Sequence, residues 1–301
     1  MESRIILTQA DFSANNIGRI VALSDLTKKV LTKQTQYVEG DEEAVALDTF
    51  LNNLTNEGFI GGESPLLYGL FIPALASSHD ELLYNLAKLD SSGYPVNGMS
   101  DEEINAGGNN KALSLVNDNS NHVIAFAPVD VDTEANYNLQ SRVKTELLSD
   151  KIGESMPDFS LCTYLIDHPG SNSFILESQS INYKIRFNTE NINIYQNTPS
   201  NNSVVCKISG SSRIKGFSGV SYKASENWEA LLDYGTLGVP TISGTPSLLE
   251  VQENFGTFVL GHSSGKKPKY GFISAGKYIN AEKMAILKTQ VNTLLTALHV
   301  I

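Results

Sequence analysis

The chain has 301 residues, a formal net charge of −11 and a sequence pI near 4.9, a balance that argues against a nucleic-acid backbone or an anionic membrane as a general partner. Charged residues reach only 18% against 41% hydrophobic, so neutral Asn, Ser and Gly must finish the surface, which favours strands and turns over helical bundles. The first residues, MESRIILTQADF, lack the basic start and apolar run of a secretory signal, and no apolar segment is long enough to span a membrane. The expectation is therefore a protein made in the cytoplasm, with no membrane partner.

Residues 1–40 begin with a short strand candidate, Ile5-Ile6-Leu7, and the turn-forming run Asn15-Asn16-Ile17-Gly18. Two readings stand for this segment: an arm that docks into a partner, or a terminal strand that closes the fold. From Asp41 the period changes. Ala44, Leu47, Leu51 and Leu54 recur at helical spacing behind Asp41, Glu42 and Glu43, and Gly58 supplies a stop, which predicts a helix over 42–56. Gly61-Gly62-Glu63-Ser64-Pro65 is a loop without the lysine or the strand-to-helix setting of a phosphate cradle. Leu66 to Ala76 reads as a strand that lies at a sheet edge or breaks at Pro73.

Leu82, Leu83, Leu86 and Leu89 behind Asp80-Glu81 predict a second helix over 80–89. Residues 91–110, rich in Gly, Ser and Asn, predict a long loop. His122 to Val129 is strand-like. Asp130 and Asp132, just beyond it, lack the further oxygen ligands of a calcium site, and residues 139–148 fit either a helix or an exposed strand.

From Asp158 to Phe272 the pattern is steadily β. The stretch Tyr183 to Tyr195, YKIRFNTENINIY, alternates on both sides of an Asn-Thr-Glu-Asn break, as a hairpin does. Further strands are predicted at 159–166, 173–177, 203–208, 216–223, 257–261 and 270–274, and the links between them are too short for crossover helices. At the end, Asn280 can cap a helix reaching Leu298, with Met284, Leu287, Val291, Leu294 and Leu298 in one stripe. That stripe fits a helix folded back on the sheets, or a seam between subunits.

Cys162 and Cys206, the two cysteines, sit in apolar strand-like runs and read as buried free thiols, the alternative being a disulfide that a core of this size does not require. His79, His122, His168, His262 and His299 are scattered singly, without metal-ligand spacing. Nucleophile-elbow, nucleotide-loop and paired-cysteine motifs are missing, although a carboxylate pair could still be assembled by folding. Trp228, near Tyr222 and Tyr234, serves either as core or as a sugar-stacking ring. No catalytic, cofactor-binding or metal-binding residue is assigned, and the expectation is a protein that is not an enzyme and has no cofactor.

The succession FSLCTYLIDHPGSNSFIL, INYKIRFNTENINIY and NWEALLDYG resembles a concanavalin-type (laminin G-like) jelly-roll sandwich. The ending FISAGKYINAEKMAILKTQVNTLLTAL is similar to the close of such domains in bacteriophage tail and fibre proteins. The opening LTQADFSANNIGRI resembles N-terminal segments of virion proteins from phages of Bacteroidales hosts, crAss-like phages among them. The resemblance implies a mainly β, antiparallel sandwich over 41–301 behind a docking arm over 1–40. It implies a structural virion component, a head fibre or tail-associated protein, that forms a homo-oligomer such as a trimer through the arm and the last helix. Its partners would be other virion proteins and a bacterial surface glycan. The alternative role is a carbohydrate-binding module or glycan hydrolase used in host recognition.

Overall fold

The computed structural model describes residues 22–102, 113–128, 141–145, 153–167, 174–179, 183–188, 191–198, 201–209, 215–223, 229–232, 241–242, 249–250, 257–262 and 269–301. The chain opens with helices α1 (Asp25–Lys33) and α2 (Glu42–Asn56) and strand β1 (Leu67–Phe71). Two short 3-10 turns, Pro73–Leu75 and Asp80–Leu83, lead to β2 (Tyr84–Leu89), β3 (Pro95–Asn97), β4 (Met99–Glu102), β5 (Leu113–Asn117) and β6 (Val123–Pro128). Next come β7 (Ser141–Thr145), β8 (Ser155–Met156), β9 (Asp158–Asp167), β10 (Phe174–Gln179), β11 (Tyr183–Asn188), β12 (Asn191–Thr198) and β13 (Asn201–Ser209). The remainder is β14 (Gly216–Lys223), β15 (Glu229–Leu232), β16 (Thr241–Ile242), β17 (Leu249–Glu250), β18 (Thr257–His262), β19 (Lys269–Gly276) and α3 (Ala281–Ala297).

The strands form a mainly β, antiparallel sandwich. One sheet has seven strands in the order β15-β14-β9-β19-β6-β5, with β1 also on β19; the other has eight, in the order β16-β13-β12-β11-β10-β18-β7-β4. The expected hairpin is present as β11 and β12, with Ile185 opposite Ile194 and Phe187 opposite Ile192. The apolar run of β9, DFSLCTYLID, is long enough for only one strand and is buried from Phe159 to Leu165, so this strand is covered on both faces. Its neighbours β14 and β19 are buried along nearly their whole length as well.

One face of the seven-stranded sheet carries the helices. Cys162, Tyr164, Phe217 and Phe272 share a core with Leu47, Leu51 and Leu54 of α2 and with Met284, Leu287, Val291 and Leu294 of α3. Helices α2 and α3 run antiparallel, matched by Glu57 with Lys283, Asn53 with Gln290 and Glu43 with His299. Small residues let α3 approach: a Cβ on Gly219 would lie 2.9 Å from Met284 Sδ and 3.0 Å from Cys162 Sγ. A Cβ on Gly276 would collide with the Leu66 carbonyl, because β1 lies against the end of β19 there. The opposite face is filled by large side chains, Leu161, Val220, Tyr222 and Ile273, each fully buried, and by a Phe126–Tyr270 stack with ring centroids 5.3 Å apart.

Helix α3 forms as its sequence predicts, with the Asn280 side chain accepting from Lys283 N at 2.9 Å. The subunit-seam reading of its stripe is overturned. Met284, Leu287, Val291, Leu294 and Leu298 are each at most 2% exposed within the single chain, so no apolar seam is left for a partner. Such burial is worth about 1.5–3 kcal/mol per side chain, and here it is spent on the chain's own fold.

The helix expected over 80–89 is also corrected: one 3-10 turn ends at Leu83, and residues 84–89 are strand β2. The reason is tertiary. Asn85 Oδ1 accepts from Leu70 N at 3.0 Å and from Ala87 N at 2.9 Å, and Asn85 Nδ2 donates to Tyr68 O, which stitches an extended segment beside β1. The predicted loop over 91–110 contains β3 and β4, with residues 103–110 outside the described residues. The ambiguous 139–148 includes strand β7, paired with β18 and β4. As read from Pro73, the segment from Leu66 does break there, with β1 giving way to a 3-10 turn.

Within residues 1–40, Ile5 to Gly18 lie outside the described residues. The described part is folded onto the body: Asp48 Oδ1 accepts from Ser24 N at 2.8 Å and Thr27 Oγ1 at 2.7 Å, fixing the start of α1. Glu81 accepts from Thr35 N and Ser77 N, each at 2.8 Å, fixing the chain after α1. No helix among the described residues is long and apolar enough to cross a membrane.

Candidate functional site

Among the described residues, lysine ammoniums lie over aromatic rings in two places, and their electrostatic settings differ. The first is where α1 meets the β2–β3 hairpin. Lys33 Nζ is 5.6 Å from the Tyr84 ring centroid and 5.7 Å from that of Tyr94, and Lys29 Nζ is 5.7 Å from Tyr94. Lys29 also pairs with Asp25 at 2.7 Å, and this bond raises its pKa. Asp90 is held below the usual carboxylate range first by the backbone N–H of Tyr94, then by those of Ser92 and Gly93, with Lys33 contributing. Both lysines therefore have a carboxylate close by, and the cluster acts as a clasp between helix and hairpin.

The second lies at the end of the seven-stranded sheet where β1 begins and β14 and β19 finish. The backbone there is fixed. Lys277 N donates to Leu66 O at 2.7 Å, and Ile279 N donates to the buried Ser221 Oγ at 2.8 Å. Lys277 Nζ donates to Ser64 Oγ at 2.5 Å and lies 5.9 Å from the Tyr68 ring centroid, and Lys223 Nζ lies 5.6 Å from that of Tyr278. Lys283 is neutralised by Glu57 at 2.6 Å and covers Phe59. Asp158 stands opposite Lys223 in the ladder. Among the described residues Lys277 has no carboxylate in ion-pair range; a hydroxyl and a ring hold its ammonium instead.

Among the described residues, the other displaced ionisable groups are engaged in holding the chain together. Burial pushes Asp48 up, but bonds from Ser24, Thr27 and Asn52 outweigh it and leave the carboxyl below its ordinary range. Burial opposes in the same way at Glu81, where bonds from Ser77 and Thr35 win. Burial drives the Cys162 thiol up to about 12, partly offset by Ser274, and drives Tyr37 to about 12 with help from Glu43. None of these four is poised to exchange a proton near neutral pH.

Among the described residues the histidines are not brought together. His79 sits beside Asp80 at 3.5 Å, His122 is exposed at a hairpin end and His299 lies 3.7 Å from Glu43. His262 ends β18, and His168 lies outside the described residues. No cluster of three metal-ligating side chains occurs among the described residues. Trp228, Tyr234, Asp130 and Asp132 also lie outside them, whereas Tyr222 is core. Cys162 is a buried free thiol, as expected, and Cys206 is on β13. Sequence reasoning missed the lysine–tyrosine pairs. Their faint signal is the adjacency Tyr222-Lys223 and Lys277-Tyr278 at the ends of two strands.

No protein-family model matches the chain, and no curated protein sequence does. Among solved structures it is similar to the binding domain of botulinum neurotoxin serotype G, at 11% identity and a TM-score of 0.47 over 74% of this chain and 50% of that one. A botulinum neurotoxin type C structure, described by its interaction with two ganglioside molecules, is similar at 14% identity and a TM-score of 0.42, over 67% of this chain and 48% of that one. Domain 4 of AbnA, a GH43 extracellular arabinanase from Geobacillus stearothermophilus in complex with arabinotriose, is similar at 14% identity and a TM-score of 0.40, over 77% of this chain and 99% of that one. The chain spans about half the length of the neurotoxin chains it matches. At these identities and TM-scores none of them transfers a ligand or a reaction to this chain.

Proposed function

We propose that this chain is a non-catalytic binding and assembly component of a tailed-phage particle, a head fibre or tail-associated protein that contacts a bacterial surface glycan. The observation that supports the non-catalytic part is the use made of the displaced groups among the described residues. Asp48, Glu81 and Asp90 accept bonds from backbone, hydroxyl and, at Asp48, side-chain amide donors, and Cys162 is sealed in the core. A site for proton transfer would hold such a group in a cleft near its working pKa. The phage assignment rests on the resemblance of the segments at both ends of the chain. Assembly as a homo-oligomer, such as a trimer, falls to the N-terminal arm, because the last helix is committed to the core.

The test has two arms. Mass spectrometry of purified particles from a phage encoding this chain is expected to find it at a stoichiometric copy number; its absence from washed particles contradicts the virion role. Incubation with bacterial surface polysaccharide is expected to release no reducing ends. Sustained release by the purified chain would overturn the non-catalytic reading in favour of a glycan hydrolase.

A further inference from the structure

We infer that the charged face of the eight-stranded sheet, where the ladder places Lys144, Lys184 and Lys207, is a docking surface for an extended acidic polysaccharide. The inference rests on the proposed glycan-binding reading and gives it a place and a ligand class.

The register of the strands carries it. Residues directly opposite one another in an antiparallel pair share a face, so the sheet can be followed strand by strand. Val143 stands opposite Phe258, Leu176 opposite Leu260 and Phe187, and Ile192 opposite Phe187 and Ile208, which makes one face apolar. The row one residue along belongs to the other face and runs from Glu102 through Arg142, Glu177, Arg186 and Asn193 to Lys207. The eight described strands hold five basic residues, Arg142, Lys144, Lys184, Arg186 and Lys207, and the register puts all five on this second face. Glu102 and Glu177 share it with them.

The whole chain has 33 acidic residues against 22 basic ones, so a face that only kept the sheet wet would carry more carboxylates than ammoniums. Here the balance is reversed. Protection of the sheet edges does not account for it, since edge-blocking lysines belong on end strands, and the end strands β16 and β4 carry none of the five. Arg142 and Arg186 stand opposite Glu102 and Glu177 and are matched within the ladder. The lysines stand between neutral residues: Lys144 between Ser100 and Thr257, Lys184 between Gln179 and Tyr195, and Lys207 between Asn193 and Thr241.

Lys207 is two strands from Lys184, and Lys184 is three from Lys144. At the ordinary strand spacing these steps are about 10 and about 14 Å. A single surface ion contact is weak, so the ligand that gains from this face is a chain long enough to meet several lysines at once. Cations so far apart suit a polymer charged at intervals, such as a polysaccharide with a uronic acid in its repeat. Duplex nucleic acid carries a charge every ~1.7 Å of its axis, a density these lysines cannot match and a chain of charge −11 repels. The neutral residues between the lysines are amides and hydroxyls, the types that pair with sugar hydroxyls.

The full chain is titrated calorimetrically with decagalacturonate, a hyaluronan decasaccharide and digalacturonate, with cellohexaose and maltohexaose as neutral counterparts, and with single-stranded oligothymidylate. At least one acidic decamer is expected to bind, more weakly as sodium chloride is raised. Digalacturonate, too short to reach two lysines, is expected to bind at least about tenfold more weakly. Lys144→Gln, Lys184→Gln and Lys207→Gln are each expected to weaken the decamer about threefold and the triple variant about thirtyfold, whereas Lys28→Gln on α1 leaves it unchanged. Near-UV circular dichroism of each variant confirms that the fold is kept. Acidic decamers that bind the triple variant as tightly as the native chain overturn the inference and leave the glycan reading standing, as does binding of neutral probes alone. Tighter binding of oligothymidylate than of either acidic decamer overturns it in favour of a nucleic acid. Binding of no saccharide removes both the inference and the glycan reading.

Discussion

The two faces of the seven-stranded sheet solve the same burial problem in opposite ways. On the inner face, Leu161, Val220, Tyr222, Ile273 and the Phe126–Tyr270 stack fill the space with bulk supplied by the strands. On the helix face the strands supply small residues at the point of closest approach, Gly219 and Cys162, beside Tyr164, Phe217 and Phe272, and Met284, Leu287, Val291 and Leu294 of α3 complete the core. The lesson is that α3 is a layer of the core. Its removal would expose the apolar face that Cys162, Tyr164, Phe217 and Phe272 present to it.

The largest expected effect comes from breaking a second close approach on the same sheet, that of β1 to the end of β19. Gly276→Val places a branched side chain against the Leu66 backbone, which cannot step aside without pulling β1 off β19. A loss of at least about 3 kcal/mol is expected, at the upper end for overpacking, measured by urea unfolding. Leu287→Ala empties a fully buried site between α3 and the sheet, and about 2–5 kcal/mol is expected from the same measurement. A surface seam would instead lose little stability and change only the mass of the particle in solution.

A smaller effect sharpens the distinction between core and clamp. Asp48 and Glu81 have folded pKa values below their unfolded ones, so their anchoring of α1 is fully present above the unfolded values, about 4. It is lost as the pH falls through the lower folded values. Asp48→Asn is expected to lower the thermal midpoint at pH 7 by an amount equivalent to about 1–2 kcal/mol and to flatten the acid limb of the midpoint–pH curve. An unchanged acid limb contradicts the clamp. The smallest effect is at the half-buried clasp, where Lys33→Met should cost under about 1 kcal/mol.

Cys162 provides a chemical reading of the same helix face. With its thiol pushed up to about 12 and sealed under α3, it should resist alkylation at pH 8 in a Cys206→Ser background and react only on unfolding. Rapid labelling of the native protein would mean that α3 leaves the sheet on its own.

Much of the β architecture was legible because its signals are local. Alternation marked the β11–β12 hairpin, and the apolar run of FSLCTYLI marked β9. Helix α2 was legible from its acidic first turn, and α3 from Asn280 and its stripe. What the stripe packs against was not legible, since a period of three and four suits a sheet face and a partner helix equally. The strand β2 was misread because its leucines fall at helical spacing, and the deciding group is the Asn85 amide reaching across to Tyr68 and Leu70. The lysine–tyrosine cluster at the sheet end was hidden for a similar reason. Ser64, Tyr68, Lys223 and Lys277 come from three separate stretches, and only the sheet order brings those stretches to one end.

The most direct test of the account is the solution mass and near-UV circular dichroism of the full chain beside a chain ending at Asn280. The account predicts that the shortened chain loses its tertiary signal and aggregates, whatever the mass of the full chain. A shortened chain that keeps a native near-UV spectrum and is simply a smaller oligomer, or a monomer, would contradict it and return α3 to the surface between subunits.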